Sequence, residues 1–79
     1  MNRNTSKTMA VIKLQPAIQY AFPEVTNMFY LIDQQTKEEY VHVNFTQKGT
    51  HSAFQICVTA DSIPALYDDV WRMCKRRFG

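Results

Sequence analysis

The 79-residue sequence predicts an α+β domain: an antiparallel three- to four-stranded β-meander with one C-terminal amphipathic helix packed on one face. Three observations carry that expectation. Residues 38–45 and 52–59 alternate apolar and polar side chains at the two-residue period of a half-buried strand. Setting Phe45 opposite Ser52 places Val43 opposite Phe54 and Val41 opposite Ile56, so every core candidate lies on one face. Further on, Ile63, Leu66, Tyr67, Val70, Met73 and Cys74 recur at three- and four-residue steps, which makes one apolar stripe of a helix.

Taken in order, residues 1–8 lack apolar periodicity and are expected to form a flexible N-terminal tail, leaving 9–79 as a single domain. Segment 9–23 admits two readings. Residues 9–14 have the composition of a short strand, and Pro16 argues against one continuous helix. Ile18, Tyr20 and Phe22 alternate with Ala17, Gln19 and Ala21, as a second strand would, while Ile18, Phe22 and Val25 also fit short helical turns. The expectation is a strand followed by an irregular or short helical stretch between Pro16 and Pro23.

Residues 27–33 have strand composition, and 34–37 form a polar connection of hairpin length. Lys48-Gly49 reads as the second turn, with glycine supplying a positive φ. In the resulting register Tyr40 falls opposite Cys57 and His42 opposite Gln55, on the far face from the core. Asp61 or Ser62 can cap the final helix, and Pro64 is tolerated in its first turn. Asp68, Asp69, Arg72, Lys75 and Arg76 cover its polar side, with acid early and base late as the helix dipole favours.

Composition bounds the function. Hydrophobic residues make up 46% and charged residues 20%, an ordinary globular balance in a chain long enough for one modest core. Nine Lys and Arg against seven Asp and Glu leave a net charge of only +2, too weak on its own to indicate nucleic acid or membrane. No segment reaches the ~20 apolar residues of a membrane helix. The N-terminus, mildly basic through Arg3, Lys7 and Lys13, lacks the pattern of a signal peptide. Two cysteines without an export signal lead to the expectation of free thiols and a cytoplasmic location.

Catalytic and metal constellations are missing from the sequence pattern. His42, His51, Cys57 and Cys74 count to a zinc quartet, but no short ligand pair exists among them. Cys57 and His42 point outward on adjacent strands with no third orienting group. Asp68 and Asp69 face different directions on a helix, and Gly49 and Gly79 alone make no phosphate-binding loop. The expectation is a protein that is not an enzyme and takes no cofactor.

Two surfaces remain. Lys75, Arg76 and Arg77, with Arg72 one turn earlier, are candidates for phosphate or acidic-partner contact, though last-turn cations also simply complement a helix dipole. The second is the sheet face turned away from the helix. In the first strand Phe29 and Leu31 compete with Met28, Tyr30 and Ile32, so one apolar set must face outward. Residues 9–22, a second copy or a partner has to cover it. Tyr30, Tyr40, His42 and Trp71 are the residues expected to meet a protein partner.

Tyr30 and Tyr40 could also stack on bases, but the Gly-aromatic signature of RNA-recognition domains is missing. A double-stranded-RNA-binding layout of helix, three strands and helix is opposed by Pro16 and by the acidic residues between 61 and 69. Three strands followed by a helix, over residues 27–77, resemble in topology the small DNA-binding domains of Apetala type and of phage integrase arms. Those domains carry Arg and Lys on the exposed sheet face, where this sequence places Tyr40, His42, Asn44, Gln55 and Thr59. Residues 18–24 (IQYAFPE) resemble a segment of the DNA-damage-inducible DinI family, whose element order and acidic final helix do not recur in the rest of the chain.

The function expected is that of a small non-enzymatic binding protein, a regulator or inhibitor. It would act through protein–protein contacts and self-associate through an apolar sheet face or strand edge, as a homodimer. Its size suits the accessory proteins of phages and mobile elements. The alternative is a small DNA- or RNA-binding module using Arg72, Lys75, Arg76 and Arg77.

Overall fold

A computed structural model describes residues 3–59 and 62–79, with side chains from Ser6 onward. The chain runs α1 (Arg3–Ala21), β1 (Val25–Ile32), β2 (Glu39–Gln47), β3 (Thr50–Cys57) and α2 (Ile63–Phe78). The strands make one antiparallel sheet in the order β1-β2-β3, so the architecture is α+β with a helix at each end.

The β2–β3 hairpin has the register that alternation dictates: Phe45 faces Ser52, Val43 faces Phe54, Val41 faces Ile56 and Tyr40 faces Cys57. Its two-residue loop places Lys48 at φ 52° and Gly49 at φ 80°. Positive φ at both loop positions matches the right-handed twist of the flanking strands. The β1–β2 turn is held from within. Asp33 Oδ1 accepts hydrogen bonds from the Gln35 and Thr36 amides at 2.8 and 3.1 Å, and the Asp33 amide donates to the Glu38 carbonyl at 2.9 Å. The Thr36 and Gln35 amides hold the Asp33 carboxyl below its usual range.

Segment 9–23 corrects the sequence expectation. It forms no strand, and α1 runs unbroken from Arg3 to Ala21 with Pro16 inside it. The expected tail over 1–8 is likewise helical from Arg3 onward, and Lys7 is buried. Ala10, Val11 and Ile18 are buried and Leu14 is half-buried, at helical spacing along one side of α1. Proline at 16 costs the helix one hydrogen bond, to the carbonyl four residues back at Ile12. Both Pro16 and Ile12 are exposed, so that carbonyl sits on the solvent side, and burial of the opposite stripe outweighs the loss.

Ala10, Val11, Ile18, Val25, Met28, Val41, Val43, Ile56, Leu66, Val70 and Cys74 belong to one core. Both helices therefore share the sheet face that carries Val41 and Val43. The N-terminus of α2 is capped by Ser62, whose Oγ accepts from the Ala65 amide at 3.3 Å. Asp61, the other cap candidate, lies outside the described residues.

Two substitutions test this account. Pro16→Ala restores the missing amide donor and should raise the unfolding free energy by about 1–3 kcal/mol in urea titrations, since proline in a helix interior costs about 3 kcal/mol relative to alanine. Ser62→Ala should lower it by about 1 kcal/mol through loss of the cap. A stability loss on Pro16→Ala would contradict a continuous α1.

Candidate functional site

With both helices on one side, the opposite sheet face has no cover from the described residues. The register of β1 on β2 puts Phe29 opposite His42 and Leu31 opposite Tyr40, and these four side chains share that open face. Phe29 is 42% exposed and stacks on the His42 ring at 4.9 Å between centroids, 26° from parallel. Gln55 Nε2 lies 3.4 Å from His42 Nδ1, and His42 Nε2 lies 3.2 Å from Asn44 Oδ1. A neutral ring protonated at Nε2 satisfies both contacts, with Gln55 donating and Asn44 accepting. The Tyr40 hydroxyl donates to Glu38 Oε2, and that bond raises the phenol to about 12. No Lys, Arg, Asp or Glu projects from the strands onto this face.

The four residues expected to meet a partner are therefore divided. Tyr40 and His42 lie together on the open face. Tyr30 lies opposite Val41 on the helix side, and its hydroxyl donates to Glu39 Oε1 at 2.5 Å. Trp71 is 43% exposed on α2, its ring 5.2 Å from that of Phe22. Phe29 and Leu31 take the place expected for Tyr30. The signal that decides between the two sets is the hairpin closure: pairing Asp33 with Glu38 fixes the parity of β1, which turns Tyr30 inward. Of the three covers that the sequence leaves open for the outer face, residues 9–22 do not serve, because α1 lies with α2 in the core.

The basic helix end is also divided. Arg72 reaches Asp68 at 2.5 Å and Asp69 at 3.5 Å, which raises the guanidinium above its ordinary value, chiefly through the Asp68 hydrogen bond. Arg77 lies over the Phe45 and Phe54 rings, 5.2 and 5.3 Å from their centroids. Lys75 and Arg76 are exposed. At the N-terminal end Lys7 is not a free surface cation, since its Nζ donates to Glu39 Oε1 at 2.6 Å from a buried position.

The two histidines and two cysteines do not converge. Cys57 is exposed on the open-face side of β3, whereas Cys74 is buried in the core. Among the described residues, no group of three or more His, Cys, Asp or Glu side chains is placed to hold a metal ion. Among the same residues, no helix is long and apolar enough to cross a membrane. No family model, curated protein or solved structure matches the chain.

The thiols give a direct check of this geometry. Burial pushes the Cys74 thiol up to about 11, so little thiolate forms there near neutrality. In native protein at pH ~8, a maleimide should label one cysteine, identified as Cys57 by peptide mapping, and reach Cys74 only after denaturation. Equal labelling of both would contradict the buried position of Cys74.

Proposed function

We propose that this chain is a small non-enzymatic binding protein that acts through protein–protein contacts and associates with a second copy of itself through the open sheet face. The observation that carries the reading is the stacked Phe29–His42 pair beside Leu31 and Tyr40, with both helices committed to the other side. The face is uncharged, so two copies meet there without repulsion between like charges. Three strands about 4.8 Å apart and about 26 Å long present a face smaller than the about 800 Å² per partner of a standard interface. The association expected is therefore weak and concentration-dependent. A cytoplasmic regulator or inhibitor of the kind found among phage and mobile-element accessory proteins is the role that fits this size and surface.

The alternative, a DNA- or RNA-binding module, gains one feature from the fold. With α1 continuous across Pro16, the element order is helix, three strands, helix, the layout of double-stranded-RNA-binding domains. The charges still oppose it. The first turn of α2 carries no cation, Asp68 and Asp69 follow, and Arg72 is occupied by them.

Light scattering across a micromolar-to-millimolar range tests the first reading. Average mass should rise with concentration, and Phe29→Asp or Tyr40→Asp should hold the protein monomeric. Replacing Lys75, Arg76 and Arg77 together by Ala should leave the rise unchanged. A nucleic-acid binder would instead show affinity that falls steeply with salt and disappears in that triple variant. A strict monomer at the highest concentration removes the self-association reading.

A further inference from the structure

The two edges of the sheet are treated differently by the fold. Along β1, the outward amide of Met28 donates to Gln15 Oε1 at 3.1 Å. Gln19 Nε2 donates to the carbonyls of Thr26 at 3.0 Å and Val25 at 3.5 Å. Side chains of α1 thus occupy part of the edge of β1. Among the described residues, the β3 edge has no such cover. Its two-residue loop makes Gln47 and Thr50 a hydrogen-bonded pair, so the alternation turns the backbone of His51, Ala53, Gln55 and Cys57 away from β2. All four residues are exposed. Among the described residues, no hydrogen bond reaches their outward amides or carbonyls.

Nothing in β3 protects this edge. Its eight residues contain no Lys, Arg, Asp, Glu or Pro, and its register on β2 is unbroken. Natural edge strands are usually blunted by charges, proline or bulges, and a long neutral edge is a template for another strand. Between β3 and α2 lie two hollows of about 310 and 290 Å³, floored by Phe54, Ile56 and Met73. Arg76 borders both, Arg77 the first, and Arg72 with Asp69 the second. Arg72 is already paired with Asp68 and Asp69, which leaves the positive character of the groove to Arg76 and Arg77.

We propose that the outer edge of β3 receives an extended acidic segment of a partner protein as a fourth strand, with its acidic side chains on the α2 side against Arg76 and Arg77. This rests on the reading of the chain as a protein-binding module and names the chemistry of its partner. Main-chain bonds to Ala53 and Gln55 supply affinity, and the alternate side chains supply selection. A second copy is the poorer occupant. Antiparallel pairing of β3 with β3 of another copy would add that copy's Arg76 and Arg77 to the same flank, where like charges oppose docking.

The test is fluorescence anisotropy with a labelled eight-residue peptide of alternating Glu and Val. Binding should saturate, weaken by about tenfold or more in Arg76→Glu, and be absent for the same peptide with Lys in place of Glu. N-methylation of alternate residues, which removes edge-facing donors, should abolish it without any change to the protein. Ala53→Pro should also abolish it, since the Ala53 amide points outward and its loss leaves the β2–β3 ladder intact; circular dichroism confirms the fold. Absence of saturable binding at millimolar peptide, equal binding of the Lys peptide, or indifference to N-methylation would each overturn the proposal. So would a dimer that dissociates on Ala53→Pro and persists on Phe29→Asp, because a second copy would then hold the edge. Self-association lost on Phe29→Asp, without peptide binding, overturns the edge proposal and leaves the open-face reading intact.

Discussion

Val41, Val43 and Phe45 leave the central strand on one side, and all three are buried. Because β2 is hydrogen-bonded on both flanks, its parity is imposed on both neighbours. Met28 and Tyr30 must come to the same side as Val43 and Val41, and so must Phe54 and Ile56. Anything that buries this row has to lie on that side. Two helices about 10 Å across cover about 20 Å, enough for three strands spanning roughly 14 Å. With both helices committed there, the described chain has no third element for the other face. Alternation in β2 turns His42 to that face, and the closure of the Asp33 turn sets the parity of β1 that brings Phe29 beside it.

Polar contacts place α1 on that layer. Lys7 reaches Glu39 from a buried position, and the same carboxylate oxygen accepts from Tyr30. Taking a lysine out of water costs several kcal/mol, and the pair is weak grounds for added stability. Its structural effect is positional: the first helix is tied to the start of β2 at one end. Gln15 and Gln19 tie it to β1 further along. Apolar area drives the helix onto the sheet, and these three side chains decide where along the sheet it rests.

The sheet and α2 were legible because their periods are clean. The β2–β3 register follows from alternation alone, and the α2 stripe of Leu66, Val70 and Cys74 from three- and four-residue steps. α1 was not legible, for physical reasons. Its buried stripe holds Ala10, Val11, Leu14 and Ile18, but Met9 and Ile12 are 47% and 54% exposed and Tyr20 is 93% exposed on its outer side. Apolar residues on opposite sides cancel any amphipathic signal. Lys7 on the buried side and Pro16 in the middle hide the rest. On the open face, alternation identified Tyr40 and His42, but the choice of Phe29 over Tyr30 depends on how the Asp33 turn closes.

The same geometry weighs on the basic helix end. Nucleic-acid affinity grows with the number of phosphates neutralised, and typical binders contact about six to ten. Asp68 and Asp69 engage Arg72, and Arg77 rests on two phenylalanine rings. Lys75 and Arg76 make no ion pair among the described residues and are too few to hold a duplex by charge. One or two cations are a different matter beside an open strand edge. There the main chain of β3 can carry most of the affinity, and a charge on one flank need only select which extended segment pairs with it.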